Sequence, residues 1–170
     1  MEVYISEERI QKRVRQLAAQ ITQDFKGRNL HVVGVLNGAF MYCADLLRHL
    51  DLPVDISFVK VSSYGDKTKS SGDIALELDF KQDIKGKNVL LVEDIVDTGL
   101  TSFYLLKHFK EKGPLQLKIT SLLFKPSWNK YKIPIDYLGF EIKDVFVVGY
   151  GMDYAGKFRN LPYIGIYDEN

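Results

Sequence analysis

"VLLVEDIVDTGLTS" runs from Val89 to Ser102 and sets apolar residues before Glu93, Asp94 and Asp97, followed by Thr98, Gly99, Thr101 and Ser102. A short uninterrupted apolar run reads as a strand buried on both faces, as in a parallel sheet. A glycine turn rich in hydroxyls that opens a helix offers backbone N–H groups to an anion. Such a strand, turn and helix end where an open α/β sheet holds its ligand, beyond the carboxyl ends of the strands.

The pattern repeats on either side. Upstream, "LHVVGVL" (30–36) reads as a strand, Asn37-Gly38 as a turn and "AFMYCADLLRHL" (39–50) as a helix. Before them, Ile10, Val14, Leu17, Ala18, Ile21 and Phe25 recur at helical spacing after Ser6, with Gly27 as a stop. "VDISFVKVS" (54–62) and "GDIALELDF" (72–80) read as strands around the small, polar connection "SSYGDKTKSSGD" (62–73). "NVLLVE" (88–93) is a buried strand and "TSFYLLKHFKEK" (101–112) a helix. Further strands are expected over 117–125, 135–142, 145–151 and 163–167. The alternation implies an α/β fold with a central, mainly parallel sheet of roughly five strands flanked by helices.

Bulk properties narrow the function. With 170 residues, 46% of them hydrophobic, the chain fits one domain. A net charge of +1 gives no footprint for nucleic acid, so an anionic ligand must be held by local geometry. The single cysteine, Cys43, leaves no intrachain disulfide or thiolate cluster, and His31, His49 and His108 lack metal-ligand spacing. The charged start "MEVYISEERIQKRVRQ" does not read as a signal peptide and no run is long enough to span a membrane, so a cytoplasmic setting without membrane partners is expected.

Taken singly, the acids also fit a solvated turn and a helix cap. An aspartic protease carries D-T-G too, but in an all-β fold, whereas the chain is helical from Thr101 onward. A response-regulator receiver ends its first strand, not a later one, in an acidic pair. The whole set matches the chemistry of a pyrophosphorylated ribose. Its 5'-phosphate suits the amides, while its ring hydroxyls and a carbon that turns cationic as pyrophosphate leaves suit the carboxylates.

With "VLNGAF" (35–40), "SSYG" (62–65), "SLLFK" (121–125) and "FVVGYGMDYAGKFRNLPYIG" (146–165), the chain resembles the hypoxanthine-guanine phosphoribosyltransferases over nearly its whole length. The resemblance implies a type I phosphoribosyltransferase fold, a single domain over 1–170 with a hood from the N- and C-terminal segments over the base. It also implies purine salvage, with the substrates PRPP and a 6-oxopurine base. The alternatives are a PRPP-binding regulator, or a transferase for another base such as xanthine or uracil.

The implied roles follow residue by residue. Glu93 and Asp94 meet the ribose hydroxyls directly or through Mg²⁺, Asp97 is the general base, and Thr98, Gly99, Leu100, Thr101 and Ser102 hold the 5'-phosphate. Leu100 stands where relatives often have a polar or basic residue, so only its amide takes part. The backbone of Asn37 and Gly38, in a turn often cis in the family, meets pyrophosphate together with Arg159; relatives commonly carry Lys or Arg at the Asn37 position. Lys125 donates to the purine O6, Phe146 stacks on the ring and the Val147 backbone reads its edge. Asp153 joins Glu93 and Asp94 as a metal ligand at the base side, and Ser63-Tyr64 forms a lid. Family habit implies a homodimer or homotetramer.

Overall fold

The computed structural model describes residues 1–64 and 73–168. Ser6 caps α1 (Glu7–Asp24) by accepting the Arg9 N–H at 3.4 Å, and Glu7 and Glu8 sit at the positive end of the helix dipole. The stripe Ile10, Val14, Leu17, Ala18 and Ile21 is buried, as its spacing requires.

The centre of the fold is the parallel pair β2 (Leu30–Leu36) and β5 (Asn88–Val96), in register from Leu30 opposite Asn88 to Gly34 opposite Val92. Both strands are buried on both faces over this stretch, which explains their continuous apolar runs. From β2 the chain passes through α2 (Phe40–His49) to β3 (Val54–Tyr64), which lies parallel on one side of β2. From β5 it passes through α3 (Leu100–Lys110) to β6 (Gln116–Phe124) and then to β7 (Tyr137–Glu141), extending the sheet the other way. With β4 (Asp73–Leu78) antiparallel on β3, the strand order is β4-β3-β2-β5-β6-β7. The direction of winding reverses between β2 and β5, so the turns that follow these two strands flank a crevice.

The α1 and α2 residues share one buried cluster with Val32, Leu90 and Val92, while Leu105 and Phe109 of α3 share another with Val33, Val89 and Leu91. Helices therefore cover both faces of the sheet. A second sheet joins both chain ends: β1 (Glu2–Ile5), β9 (Ile164–Ile166) and β8 (Val147–Val148), antiparallel in the order β1-β9-β8. Its Ile5, Val147 and Ile164 belong to the same cluster as α1 and α2.

Some boundaries differ from the sequence expectation. β1 has no counterpart there, because only Ile5 of its four residues is buried and no period is legible. The strand expected over 145–151 shrinks to β8, since φ values of 98°, 49° and 100° at Gly149, Tyr150 and Gly151 turn the chain. β3 runs on to Tyr64, with the backbones of Ser63 and Tyr64 paired to Ile74 and Asp73. Their side chains and the connection 65–72, on which the lid expectation rests, lie outside the described residues. Among the described residues no helix is long and apolar enough to cross a membrane.

One buried polar contact fixes α2 to the sheet. The Tyr42 hydroxyl lies 2.5 Å from Thr120 Oγ1, and the Thr120 hydroxyl donates to the Tyr137 carbonyl at 3.0 Å, so Tyr42 is the donor to Thr120. Tyr42→Phe removes one net hydrogen bond, about 1 kcal/mol, and is expected to lower the thermal midpoint by roughly 2–4 °C in a domain of this size. Calorimetry checks this; an unchanged midpoint would show that the contact contributes nothing to stability.

Candidate active site

At the switch point the turn after β2 has a cis Leu36–Asn37 peptide and then Gly38, just ahead of α2. A Cβ on Gly38 would overlap the Asp94 carboxylate, and one on Gly151 would overlap the Gly38 carbonyl oxygen. Glycine at both positions lets three chain segments meet without side chains between them. A cavity of about 290 Å³ opens beside this contact. Its wall takes Gly38, Asp94 and Asp97 from the ends of β2 and β5, Lys125 from the end of β6, and Phe146, Val147, Asp153 and Arg159 from the C-terminal segment.

The acidic pair is divided by the strand that carries it. β5 continues to Val96, so Glu93 and Asp94 lie within it and point to opposite faces. Asp94 lines the cavity, whereas Glu93 is buried and accepts the Ser102 hydroxyl of α3 at 3.1 Å. Burial pushes Glu93 up to about 8, the neighbouring Asp94 adding to the shift and the Ser102 bond opposing it. Burial also lifts Asp94 to about 6, against the backbone N–H groups of Asp94 and Ile95.

Across the cavity, the ammonium of buried Lys125 lies 3.5 Å from Asp97 and 3.9 Å from Asp144. Asp153 pairs with Arg159 at 2.7 Å and accepts the Gly156 N–H at 2.7 Å, while Arg159 also donates to the Gly151 carbonyl at 2.6 Å. The Phe146 ring is 52% exposed, edge-on to Tyr154, leaving a face available to a planar ligand. Near the start of α3 the Thr98 hydroxyl accepts the Leu100 N–H at 3.3 Å, and the Thr98 carbonyl accepts the N–H groups of Lys130 and Tyr131.

Residues 4–155 match the phosphoribosyl transferase domain. The chain belongs to this family. It is 46% identical over 164 residues to the hypoxanthine-guanine phosphoribosyltransferase of Bacillus subtilis, covering 96% of this chain and 91% of that one. It is also 46% identical over 168 residues to the hypoxanthine phosphoribosyltransferase of Haemophilus influenzae, with coverages of 97% and 94%. A crystal structure of a hypoxanthine-guanine phosphoribosyltransferase from Bacillus anthracis superposes with a TM-score of 0.94 at 45% identity, covering 99% of both chains. The fold is that of the type I phosphoribosyltransferases.

For a phosphoribosyltransferase, the residues singled out in sequence fall into two groups. Gly38, Asp94, Asp97, Lys125, Phe146, Val147, Asp153 and Arg159 share the cavity. Glu93, exposed Asn37 and the Thr98–Ser102 turn are not part of its wall. Ile95 and Met152 also line it, and Asp144 reaches Lys125. None of these three carried a signal, since apolar residues read as core and an acid between strands reads as a turn. Among the described residues no group of three or more His, Cys, Asp or Glu could hold a metal alone. The carboxylates of Asp94 and Asp153 are hard oxygen donors, a set that fits Mg²⁺ with substrate oxygens completing its shell.

The raised Glu93 value has a stability consequence. Its folded-state value of about 8 lies above the ordinary 4.5, so the folded state binds the extra proton between them and stability falls as pH rises through that window. In chelator-treated protein, Glu93→Gln is expected to raise the thermal midpoint by roughly 2 °C or more at pH 8, with little gain near pH 4.5. Equal shifts at both pH values would remove ionisation of Glu93 as the cause.

Proposed function

We propose that this phosphoribosyltransferase transfers the 5-phosphoribosyl group of PRPP to hypoxanthine, and to guanine, giving the nucleotide and pyrophosphate. The observation that carries the reading is the Lys125–Asp97 pair at 3.5 Å in one cavity with the exposed Phe146 ring. A 6-oxopurine offers an O6 acceptor and a ring N–H donor, which such an ammonium and carboxylate complement. The names carried by the relatives support the same substrate class.

Asp97 accepts a proton from one purine ring nitrogen as another, with a free lone pair, bonds to the anomeric carbon and the bond from this carbon to pyrophosphate breaks. Asp94 accepts from the ribose hydroxyls and stabilises the developing cation. Ser102 exchanges its bond to Glu93 for one to the 5'-phosphate, alongside the hydroxyls of Thr98 and Thr101 and the amides of Gly99 and Leu100, which frees Glu93 toward the ribose. The Gly38 turn and Arg159 receive pyrophosphate, Asn37 contributing its backbone. Phe146 stacks on the purine and the Val147 backbone reads its edge. Asp94 and Asp153 would hold Mg²⁺, which would neutralise pyrophosphate charge; Glu93, turned to Ser102 on the other face of β5, would not share that ion. Ser63-Tyr64 closes over PRPP and excludes water.

The three-stranded sheet from both chain ends serves as the hood of a single domain. The protein acts in purine salvage in the cytoplasm as a homodimer or homotetramer, without nucleic-acid or membrane partners.

A steady-state assay with PRPP, Mg²⁺ and hypoxanthine, guanine, xanthine, adenine or uracil tests the reading. Turnover is expected with hypoxanthine and guanine and not with adenine or uracil; no turnover with any oxopurine would sink it. Asp97→Asn is expected to cut kcat by roughly 10²–10⁴ with the KM for PRPP little changed, and an unaltered kcat would remove Asp97 as the base.

A further inference from the structure

Tyr150 is the most constrained side chain near the cavity that the reaction leaves without a role. It is 1% exposed and holds φ at 49° between two glycines that also have positive φ. A left-handed backbone is unfavourable for a bulky aromatic residue and persists only where surrounding contacts demand it. The demand is visible at the ring's far end. The Tyr150 hydroxyl donates to Asp45 Oδ2 at 2.6 Å, the Gln11 amide donates to the same oxygen at 2.7 Å, and Arg48 donates to Asp45 Oδ1 at 2.6 Å. Burial and the Asp45 carboxylate both push the phenol far above its ordinary value, so Tyr150 stays a donor throughout the working pH range.

We propose that Tyr150 is a positioning residue that sets the separation between the Asp153–Arg159 wall and the Gly38–Asp94 floor of the cavity. The inference rests on the functional reading above for the ligand it concerns. Asp45 lies on α2, whose first turn follows directly from the Gly38 turn, and Tyr42 of the same helix is bonded to Thr120 in the sheet. The next residue after Tyr150, Gly151, packs against the Gly38 carbonyl, exchanges hydrogen bonds with Arg159 and leads to Met152 and Asp153. Helix α2 thus acts as a strut: the phenol bond holds the C-terminal loop to it, and the Gly38 turn is its other attachment. The base wall is held independently, because Val147 and Val148 are paired to β9.

That independence gives a readout that loss of stability would not move. Tyr150→Phe keeps the ring and removes only the hydroxyl. In the full-length protein with Mg²⁺, the KM for PRPP is expected to rise roughly tenfold, the size of one charge-assisted hydrogen bond, while the KM for hypoxanthine stays within about twofold. Calorimetric binding of Mg²⁺-pyrophosphate is expected to weaken by a similar factor. Equal changes in both KM values, or a lowered thermal midpoint with both unchanged, would overturn the proposal. Should Tyr150→Phe fold poorly, Asp45→Asn keeps the volume and weakens the acceptor, and the same split at a smaller factor is required. An inactive wild-type protein would instead count against the functional reading, which separates the two failures.

Discussion

The site depends on one constraint: β2 and β5 lie side by side in parallel, each buried on both faces. Val33 and Leu91, directly paired, have no solvent exposure, and burying side chains of this kind contributes about 1.5–3 kcal/mol each. Moving one strand by a residue would turn its whole set of side chains to the other face and out of the cluster into which each is packed. Apolar packing deep in the sheet therefore decides where its polar ends emerge. The Gly38 turn meets Asp94 because the strands beneath them are locked, and the cavity forms where the winding reverses.

The same alternation explains what could and could not be read in the sequence. The strand-turn-helix units around 30–50 and 88–110 were legible because burial on both faces writes a continuous apolar run and each turn is marked by glycine. The division of labour between Glu93 and Asp94 was not. If the strand ended at Glu93 the two acids would share a loop, but β5 carries on to Val96, and the pleat sends one carboxylate to Ser102 and the other to the cavity. Gly38 and Gly151 could be recognised as turn residues but not as partners, because their need to be glycine comes from each other's segment and from Asp94, far away in sequence. β1 is similarly silent: its pairing with β9 is made of backbone bonds that leave no mark on side-chain choice.

Electrostatics within the cavity are closely compensated. Each cation has an acid in reach, Lys125 with Asp97 and Asp144, Arg159 with Asp153. A chain with a net charge of +1 has little long-range pull on an anionic substrate, and the paired cations add little locally. Binding must then proceed by exchange, in which ligand oxygens take the place of protein carboxylates around the same donors. Exchange of this kind is selective, because a ligand that cannot reproduce the displaced hydrogen bonds leaves a buried charge unpaired.

On the proposed roles, that exchange ties recognition of the base to its activation. While Lys125 stays beside Asp97, the carboxylate is engaged by the ammonium instead of facing the incoming base. An O6 acceptor draws Lys125 toward the purine, with Asp144 as the carboxylate that remains beside it, and Asp97 is released to take the ring proton. An exocyclic amino group in the same position has no lone pair to offer and repels the ammonium, so Asp97 stays paired. Discrimination against adenine then acts on the proton transfer as well as on binding, which a single donor in a preformed pocket would not achieve.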